Sequence, residues 1–129
     1  MIGKNNRGNL APLSLKIIFD KQSEFQKEIT GLNLPKDDVH WYQYHITAII
    51  EEIGEILKAD KRWKTHRNTT YNREEKIDEI ADLFVTCVNI ALFSGCGSEE
   101  VYNAIINKIQ INKERLLNAI NSGGVKQNG

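Results

Sequence analysis

The stretch from Ile80 to Phe93 constrains the fold more than any other part of this sequence of 129 residues. It is apolar almost all round a helix, so a helix formed here should be buried on most sides. It is also well short of the ~20 apolar residues that a membrane span needs, so we expect no membrane segment. Its polar exceptions, followed toward the N-terminus, recur at intervals of four, three, four and three residues: Glu75, Glu79, Asp82, Thr86 and Asn89. This spacing places all five on one stripe of the helix.

Such a stripe must face water, a partner or a ligand, because an unpaired carboxylate in a dry core is costly. The simpler interpretation is that the stripe is the solvent face of an edge helix. The alternative is that it lines a site.

Helical spacing of apolar residues, with capping residues at the ends, predicts four helices in all. They run from Ser14 to Thr30, from a cap at Asp37 or Asp38 to about Trp63, from a cap at Asn72 to Ser94, and from a cap at Ser98 to about Ile120. The predicted apolar face of the second helix comprises Tyr42, Ile46, Ile49, Ile50, Ile53, Ile56 and Leu57. No segment alternates polar and apolar residues as a strand would. The sequence therefore predicts one all-α domain over residues 1–129, a four-to-five-helix bundle-like protomer with flexible ends at about 1–11 and 121–129.

The charges exclude some classes of partner. Lys and Arg number 17 and Asp and Glu number 17, so no bulk field recruits nucleic acid or an anionic membrane. The N-terminus carries no hydrophobic segment of the secretory type, which predicts a cytoplasmic protein.

Acidic residues also follow helical spacing on the second helix, where Glu52 and Glu55 lie three residues apart on one side, next to Glu51. Glu79 and Asp82 do the same on the third helix. If these helices are antiparallel neighbours, four carboxylates converge, and hard divalent cations such as Mg²⁺ or Mn²⁺ are the usual compensation for that repulsion. A di-iron site is disfavoured, because none of these glutamates begins a Glu-x-x-His pair.

Lys58, Trp63 and Lys64 come directly after the acidic residues of the second helix. Cations here could hold the outer oxygens of a polyanion, and Trp63 could stack on a base. They could equally be a solvated helix end and an indole that fills the core.

Two acidic motifs carry a family resemblance. Glu51-Glu52-Ile53-Gly54-Glu55, followed later by Glu79-Ile80-Ala81-Asp82, resembles the signature of the all-α nucleoside triphosphate pyrophosphatases. That superfamily contains the MazG-like proteins, the dimeric dUTPases, the dCTP pyrophosphatases and the phosphoribosyl-ATP pyrophosphatases. A later element, Lys108, Asn112 and Arg115, is similar to the Lys, Asn and Arg of MazG-like last helices. The resemblance spans roughly Tyr44 to Leu116, over half of the chain.

The resemblance implies a MazG-like protomer that hydrolyses a nucleoside triphosphate to the monophosphate and pyrophosphate with Mg²⁺. The implied Mg²⁺ ligands are Glu52, Glu55, Glu79 and Asp82. Glu52 is the expected residue for orienting or deprotonating the attacking water. The implied substrate contacts are Lys58, Trp63, Lys64, Asn89, Lys108, Asn112 and Arg115. It also implies a homodimer or homotetramer, with pyrimidine deoxynucleotides as the leading substrates.

Two other functions are compatible with the residues. The acidic stripe could dock a basic partner in a helical interaction module without chemistry. The cations from Lys58 to Arg67 could bind nucleic acid, which the zero net charge makes the least favoured interpretation.

Overall fold

The computed structural model describes residues 11–66 and 68–123, and most of them lie in four α-helices. The helices are α1 (Leu13–Thr30), α2 (Val39–Ala59), α3 (Arg73–Leu92) and α4 (Ser98–Asn121), with a short 3-10 helix (Lys61–Trp63) after α2. No strand occurs in these two ranges, so the all-α prediction is confirmed. None of the helices is both long enough and apolar enough to cross a bilayer. The predicted flexible ends lie almost wholly outside the described residues.

The helices begin and end close to where the capping residues predict. Asp38 accepts a hydrogen bond from the backbone N–H of Trp41 (3.0 Å), and Asn72 accepts one from Glu75 (3.1 Å), so both act as N-caps. Gly31 and Gly95 follow α1 and α3 with positive φ angles of 78° and 82°. That left-handed conformation favours glycine and ends a helix.

The prediction that the second helix continues to Trp63 is wrong. Asp60 adopts an extended conformation (φ −137°, ψ 103°), and α2 ends at Ala59. The Asp60 side chain accepts from the backbone N–H of Arg62 and so caps the following 3-10 turn. Aspartate readily makes such local bonds at the expense of a helix.

The described chain divides into two compact units. One is Ile17–Gly97 and contains most of α1 with all of α2 and α3. The other combines the described residues 11–16 and 98–123, and its principal element is α4. No described residue of α4 is buried, and five of its large apolar side chains are exposed: Ile105, Ile106, Ile109, Leu116 and Leu117.

In the first unit α2 and α3 are antiparallel neighbours. The start of α2 lies at the end of α3, where the Asp38 N–H donates to the Phe93 carbonyl (2.9 Å). The His45 imidazole stacks on the Phe93 ring at 5.3 Å and 13°. At the opposite end, Asp60 pairs with Tyr71 just before α3 begins. Few apolar side chains are buried among the described residues. Phe19 lies in α1, and Ala59 ends α2. Val88 and Leu92 lie in the last part of α3, and Phe93 is the C-cap of that helix.

The expectation that Ile80 to Phe93 is buried on most sides is wrong for its first half. Phe84 is 67% exposed and Val85 is exposed, whereas Val88, Leu92 and Phe93 are buried. Extensive backbone contact with α3 comes from α2 alone among the described helices. One neighbour cannot cover a helix that is apolar all round.

The predicted apolar face of α2 is covered only in part. Four of its residues, Ile46, Ile50, Ile53 and Leu57, are exposed, whereas the other three are half-buried: Tyr42, Ile49 and Ile56. The side toward α3 also includes His45, Glu52 and Ala59, which recur every seven residues and are buried or half-buried. The hydrophobic pattern therefore located the helix but only part of its packing side.

His45 gives the fold a pH dependence that can be measured. The side chain is buried against aromatic rings, and its Nε2 has no hydrogen-bond partner among the described residues. Burial lowers the pKa of His45. The free energy of unfolding is therefore unaffected by His45 above the ordinary histidine pKa of about 6.5. It falls as the pH drops from there toward the lower pKa that His45 has in the folded protein.

We expect His45→Phe to remove this loss of stability on acidification. The measurement is the urea midpoint of both proteins between about pH 7.5 and pH 5.5, a range that brackets the ordinary histidine pKa. His66→Phe, at an exposed loop histidine, is the control and should run parallel to the parent. Parallel curves for His45→Phe would contradict the assignment.

Candidate metal centre

Three carboxylates from α2 and α3 meet between the two helices. One oxygen from each of Glu52, Glu79 and Asp82 lies within 4.8 Å of the other two. Glu52 and Glu79 are half-buried, and Asp82 is exposed. The predicted convergence of acidic residues from the two helices is therefore observed for these three side chains.

Glu52 lies on the packing side of α2 because of its register. His45 and Ala59, one heptad before and after it, are both buried. A position midway between two buried ones points toward the neighbouring helix. An apolar residue would be the ordinary choice there, and the chain places a carboxylate instead.

The polar stripe of α3 divides into an acidic part and a buried part. Glu79 and Asp82 face α2, while Thr86 and Asn89 on the same stripe are buried. The Thr86 hydroxyl donates to the Asp82 carbonyl (3.0 Å). The stripe is thus not simply a solvent face, since its C-terminal half is internal.

Glu55 lies near the three carboxylates but outside the closest group. It is half-buried, and one of its oxygens is 3.8 Å from the Lys58 ammonium group. The Lys58 side chain is 72% exposed and the Glu55 side chain 40% exposed, so solvent screens the pair and the interaction contributes little. Of the four predicted ligands, the structure brings three together and places the fourth at their edge.

The folded structure disfavours ionisation of Glu52 and Glu79. Desolvation first, and then the negative charge of Asp82, raises the pKa of Glu52, with smaller contributions from Glu51, Glu79 and Glu55. Desolvation followed by the charge of Asp82 also raises the pKa of Glu79. Each shift shows that the charged form lacks compensation within the chain.

The donor set suits a hard divalent cation. All the side chains offer oxygen, which Mg²⁺ and Mn²⁺ prefer over softer ligands. In an octahedral site with bonds of about 2.1 Å, ligand oxygens lie roughly 3 Å apart when adjacent and roughly 4 Å apart when opposite. Oxygens within 4.8 Å of one another approach that arrangement with modest side-chain movement.

Asn89, a predicted substrate contact, already has partners in the fold. Its side-chain oxygen accepts hydrogen bonds from the side-chain amides of Gln22 (2.8 Å) and Gln26 (3.4 Å) in α1. Gln26 and Asn89 are both about 5% exposed. The sequence pattern of α1 carried no signal for this amide group, because two glutamines in a polar helix are unremarkable.

The residues predicted beyond α2 are mostly exposed. Trp63 is 55% exposed, so it does not fill the core, and its indole N–H donates to the Leu57 carbonyl (3.1 Å). The Lys64 ammonium group lies 5.2 Å from the centre of the Trp63 ring. Trp63 helps to line an open groove of about 420 Å³ at the end of α2. Arg67, the last of the cations, lies outside the described residues.

Lys108, Asn112 and Arg115 all lie on α4, in the other compact unit. All three are exposed. Their spacing of four and three residues puts them on one side of that helix.

A charged cluster between the ends of α2 and α3 was not predicted. The Asp60 carboxylate accepts from the Arg62 guanidinium (2.8 and 2.9 Å) and from the Lys76 ammonium group (2.8 Å). These bonds, the one to Arg62 first, hold the pKa of Asp60 well below its usual range. The Arg62 guanidinium also lies 3.6 Å above the centre of the Tyr71 ring. Asp60 ends α2, and Lys76 lies in the first turn of α3. Helical spacing relates residues within one helix, so it could not predict this contact.

No protein-family model matches this chain, and neither a curated protein nor a solved structure shows significant similarity to it.

Neutralising Glu52 should stabilise the metal-free protein. Because the folded state raises the pKa of Glu52, its charged form costs stability as the pH rises through that pKa. We expect Glu52→Gln to raise the melting temperature in chelator at neutral pH by on the order of a few degrees. The gain should shrink toward pH 4, the ordinary range of the carboxyl, where the parent is also protonated.

The measurement is a thermal melt in EDTA, with Glu24→Gln on the exposed side of α1 as the control. A lower melting temperature for Glu52→Gln would mean that the carboxylate makes a stabilising contact instead.

Proposed function

We propose that this chain is a Mg²⁺-dependent nucleoside triphosphate pyrophosphohydrolase, which converts a (deoxy)nucleoside triphosphate to the monophosphate and pyrophosphate. The observation that carries the proposal is the group of Glu52, Glu79 and Asp82 between two antiparallel helices. Glu52 belongs to the first of the two acidic motifs that resemble the all-α pyrophosphatase signature, and Glu79 and Asp82 belong to the second. Uncompensated, half-buried carboxylates on a packing face also favour a cation over a purely structural role.

Glu52, Glu79 and Asp82 would hold Mg²⁺, with Glu55 completing the set at the edge. Mn²⁺ would substitute, since it accepts the same oxygen ligands. The cation, when bound, neutralises phosphate charge and makes water more acidic. The chain supplies the two helices that keep the ligands facing one another.

Glu52 is the proposed general base. It is half-buried and lies against Glu79 and Asp82, so its carboxylate would contact a water held at the proposed cation site. It would take the proton of a water that attacks the α-phosphorus. The bond between the α-phosphorus and the bridging oxygen breaks, and pyrophosphate leaves with that oxygen.

The remaining predicted residues would bind the substrate. Lys58 and Lys64 supply positive charge near the end of α2, and the exposed Trp63 indole offers a face on which a base could stack. Lys108, Asn112 and Arg115 provide a cationic and amide-bearing side of α4 for phosphate and sugar, and Asn89 would act through its amide group. Pyrimidine deoxynucleotides are the proposed substrates, and the cytoplasm is the proposed location.

Self-association into a homodimer or homotetramer belongs to the same proposal. The five residues Val39, Ile46, Ile50, Ile53 and Leu57 are exposed on α2 at intervals of seven, four, three and four. This is the spacing of a seam between packed helices. A second copy of this chain, presenting the same stripe about a two-fold axis, is the occupant that it fits.

The enzymatic proposal is tested by pyrophosphate release from a panel of canonical and modified nucleoside triphosphates, with Mg²⁺ or with chelator. We expect metal-dependent release, strongest for pyrimidine deoxynucleotides. Glu52→Gln should lower turnover at least about 100-fold, because it removes both a ligand and the base.

The matched control is Glu74→Gln, which neutralises an exposed glutamate in the first turn of α3 outside the acidic group and should retain activity. Silence of the parent across the panel would overturn the enzymatic proposal and favour a docking role for the acidic stripe.

The assembly is tested by introducing a charge on the α2 stripe. Ile50 is 70% exposed, and Ile50→Glu would place a carboxylate in the proposed seam. We expect the dissociation constant of the oligomer to rise roughly 30-fold or more, as for loss of a central interface residue. Light scattering over a concentration series measures it. Thr47→Glu, on another side of α2, should leave assembly unchanged, and equal behaviour of the two variants would contradict this interface.

A further inference from the structure

We propose that the ion pair between Lys76 and Asp60 is a positioning device, which sets the register of α2 against α3 so that the three carboxylates meet. The inference rests on the proposed metal site and adds residues that the sequence pattern did not indicate. Neither Lys76 nor Asp60 belongs to the metal-binding group. Their role would be exerted through the helices.

The Asp60 carboxylate is fully engaged. Oδ2 accepts from Lys76 Nζ and Arg62 Nη2, both at 2.8 Å, and Oδ1 accepts from Arg62 Nε (2.9 Å) and the Arg62 backbone N–H (3.1 Å). Its side chain is only 10% exposed, against 30% for Lys76 and 52% for Arg62. Charge-assisted bonds of this length hold geometry well.

Only one of these bonds joins the two helices. Asp60 ends α2, and Lys76 lies in the first turn of α3, one helical turn before Glu79. Arg62 is only two residues from Asp60, so its bonds to that carboxylate are local, and its guanidinium also lies over the Tyr71 ring just before α3. The two cations therefore share one carboxylate but differ in what they connect.

The opposite end of the helix pair is held by other contacts. There the backbone N–H groups of Lys36 and Asp38 donate to Leu92 and Phe93 (both 2.9 Å), and His45 stacks on Phe93. Between these contacts and Asp60 lie the mutually repelling carboxylates, which favour separation of the helices. A slip of one residue moves a helix by 1.5 Å, whereas metal–oxygen distances tolerate only about 0.2 Å.

The two ways in which Lys76 could act predict opposite changes in divalent-cation affinity when the lysine is lost. Removing a cation near the acidic group should strengthen binding of a divalent cation if the lysine acts only through its field. Loss of register should weaken that binding. The sign of the change separates the two roles.

The test is Mn²⁺ binding to the full chain, measured from the electron paramagnetic resonance signal of free Mn²⁺. We expect Lys76→Met to raise the dissociation constant roughly tenfold, as loss of an outer partner of a metal site does. Lys76→Arg, which keeps a cation, should recover most of the affinity. Arg62→Met removes bonds to the same carboxylate and the contact with Tyr71 but keeps the Lys76–Asp60 bond, and it should stay within about twofold of the parent. Circular dichroism and urea unfolding confirm that each variant is folded.

Unchanged or tighter Mn²⁺ binding by Lys76→Met would overturn the positioning role. Equal weakening by Arg62→Met would overturn it as well, because it would assign the effect to the local turn. Mn²⁺ binding by a parent protein that releases no pyrophosphate would overturn the enzymatic proposal and leave this inference standing. A parent that binds no Mn²⁺ would overturn both.

Discussion

The repulsion among carboxylates held between α2 and α3 is the constraint on which the rest of this structure depends. Glu52 occupies a packing position midway between buried His45 and Ala59, and it faces Glu79 and Asp82 across the helix contact. Burial and neighbouring charge both oppose its ionisation. Compensation of this charge by an oxygen-coordinated divalent cation belongs to the proposed function.

Contacts at the two ends of the helix pair hold α2 and α3 together despite the repulsion among the carboxylates between them. At one end, Phe93 receives a backbone hydrogen bond from α2 and stacks with His45. At the other, Asp60 is bonded by Arg62 and Lys76 beside the Tyr71 ring. The carboxylates of Glu52, Glu79 and Asp82 lie between these two sets of contacts. These contacts hold α2 and α3 together on either side of the acidic group.

Many large apolar residues of the described chain are exposed, unlike the half-buried Glu52 and Glu79. Few are buried in the described chain, while Phe84 on α3 and Ile50 on α2 are each about two-thirds exposed or more. Exposed apolar surface of this extent marks an interaction surface more often than an isolated domain. The same two helices therefore carry an acidic group where they face each other and exposed apolar residues elsewhere on their surfaces.

The sequence alone determined the helices, because capping and periodicity are local properties: Asp38, Asn72 and Gly95 lie where the helices begin or end. It also determined the acidic stripe, since residues three and four apart share a side of any helix. The tertiary structure decided which sides pack, since burial depends on neighbours that local patterns do not specify. It alone paired Asp60 with Lys76 and Asn89 with two glutamines, because those contacts join residues whose distance along the chain carries no periodic signal.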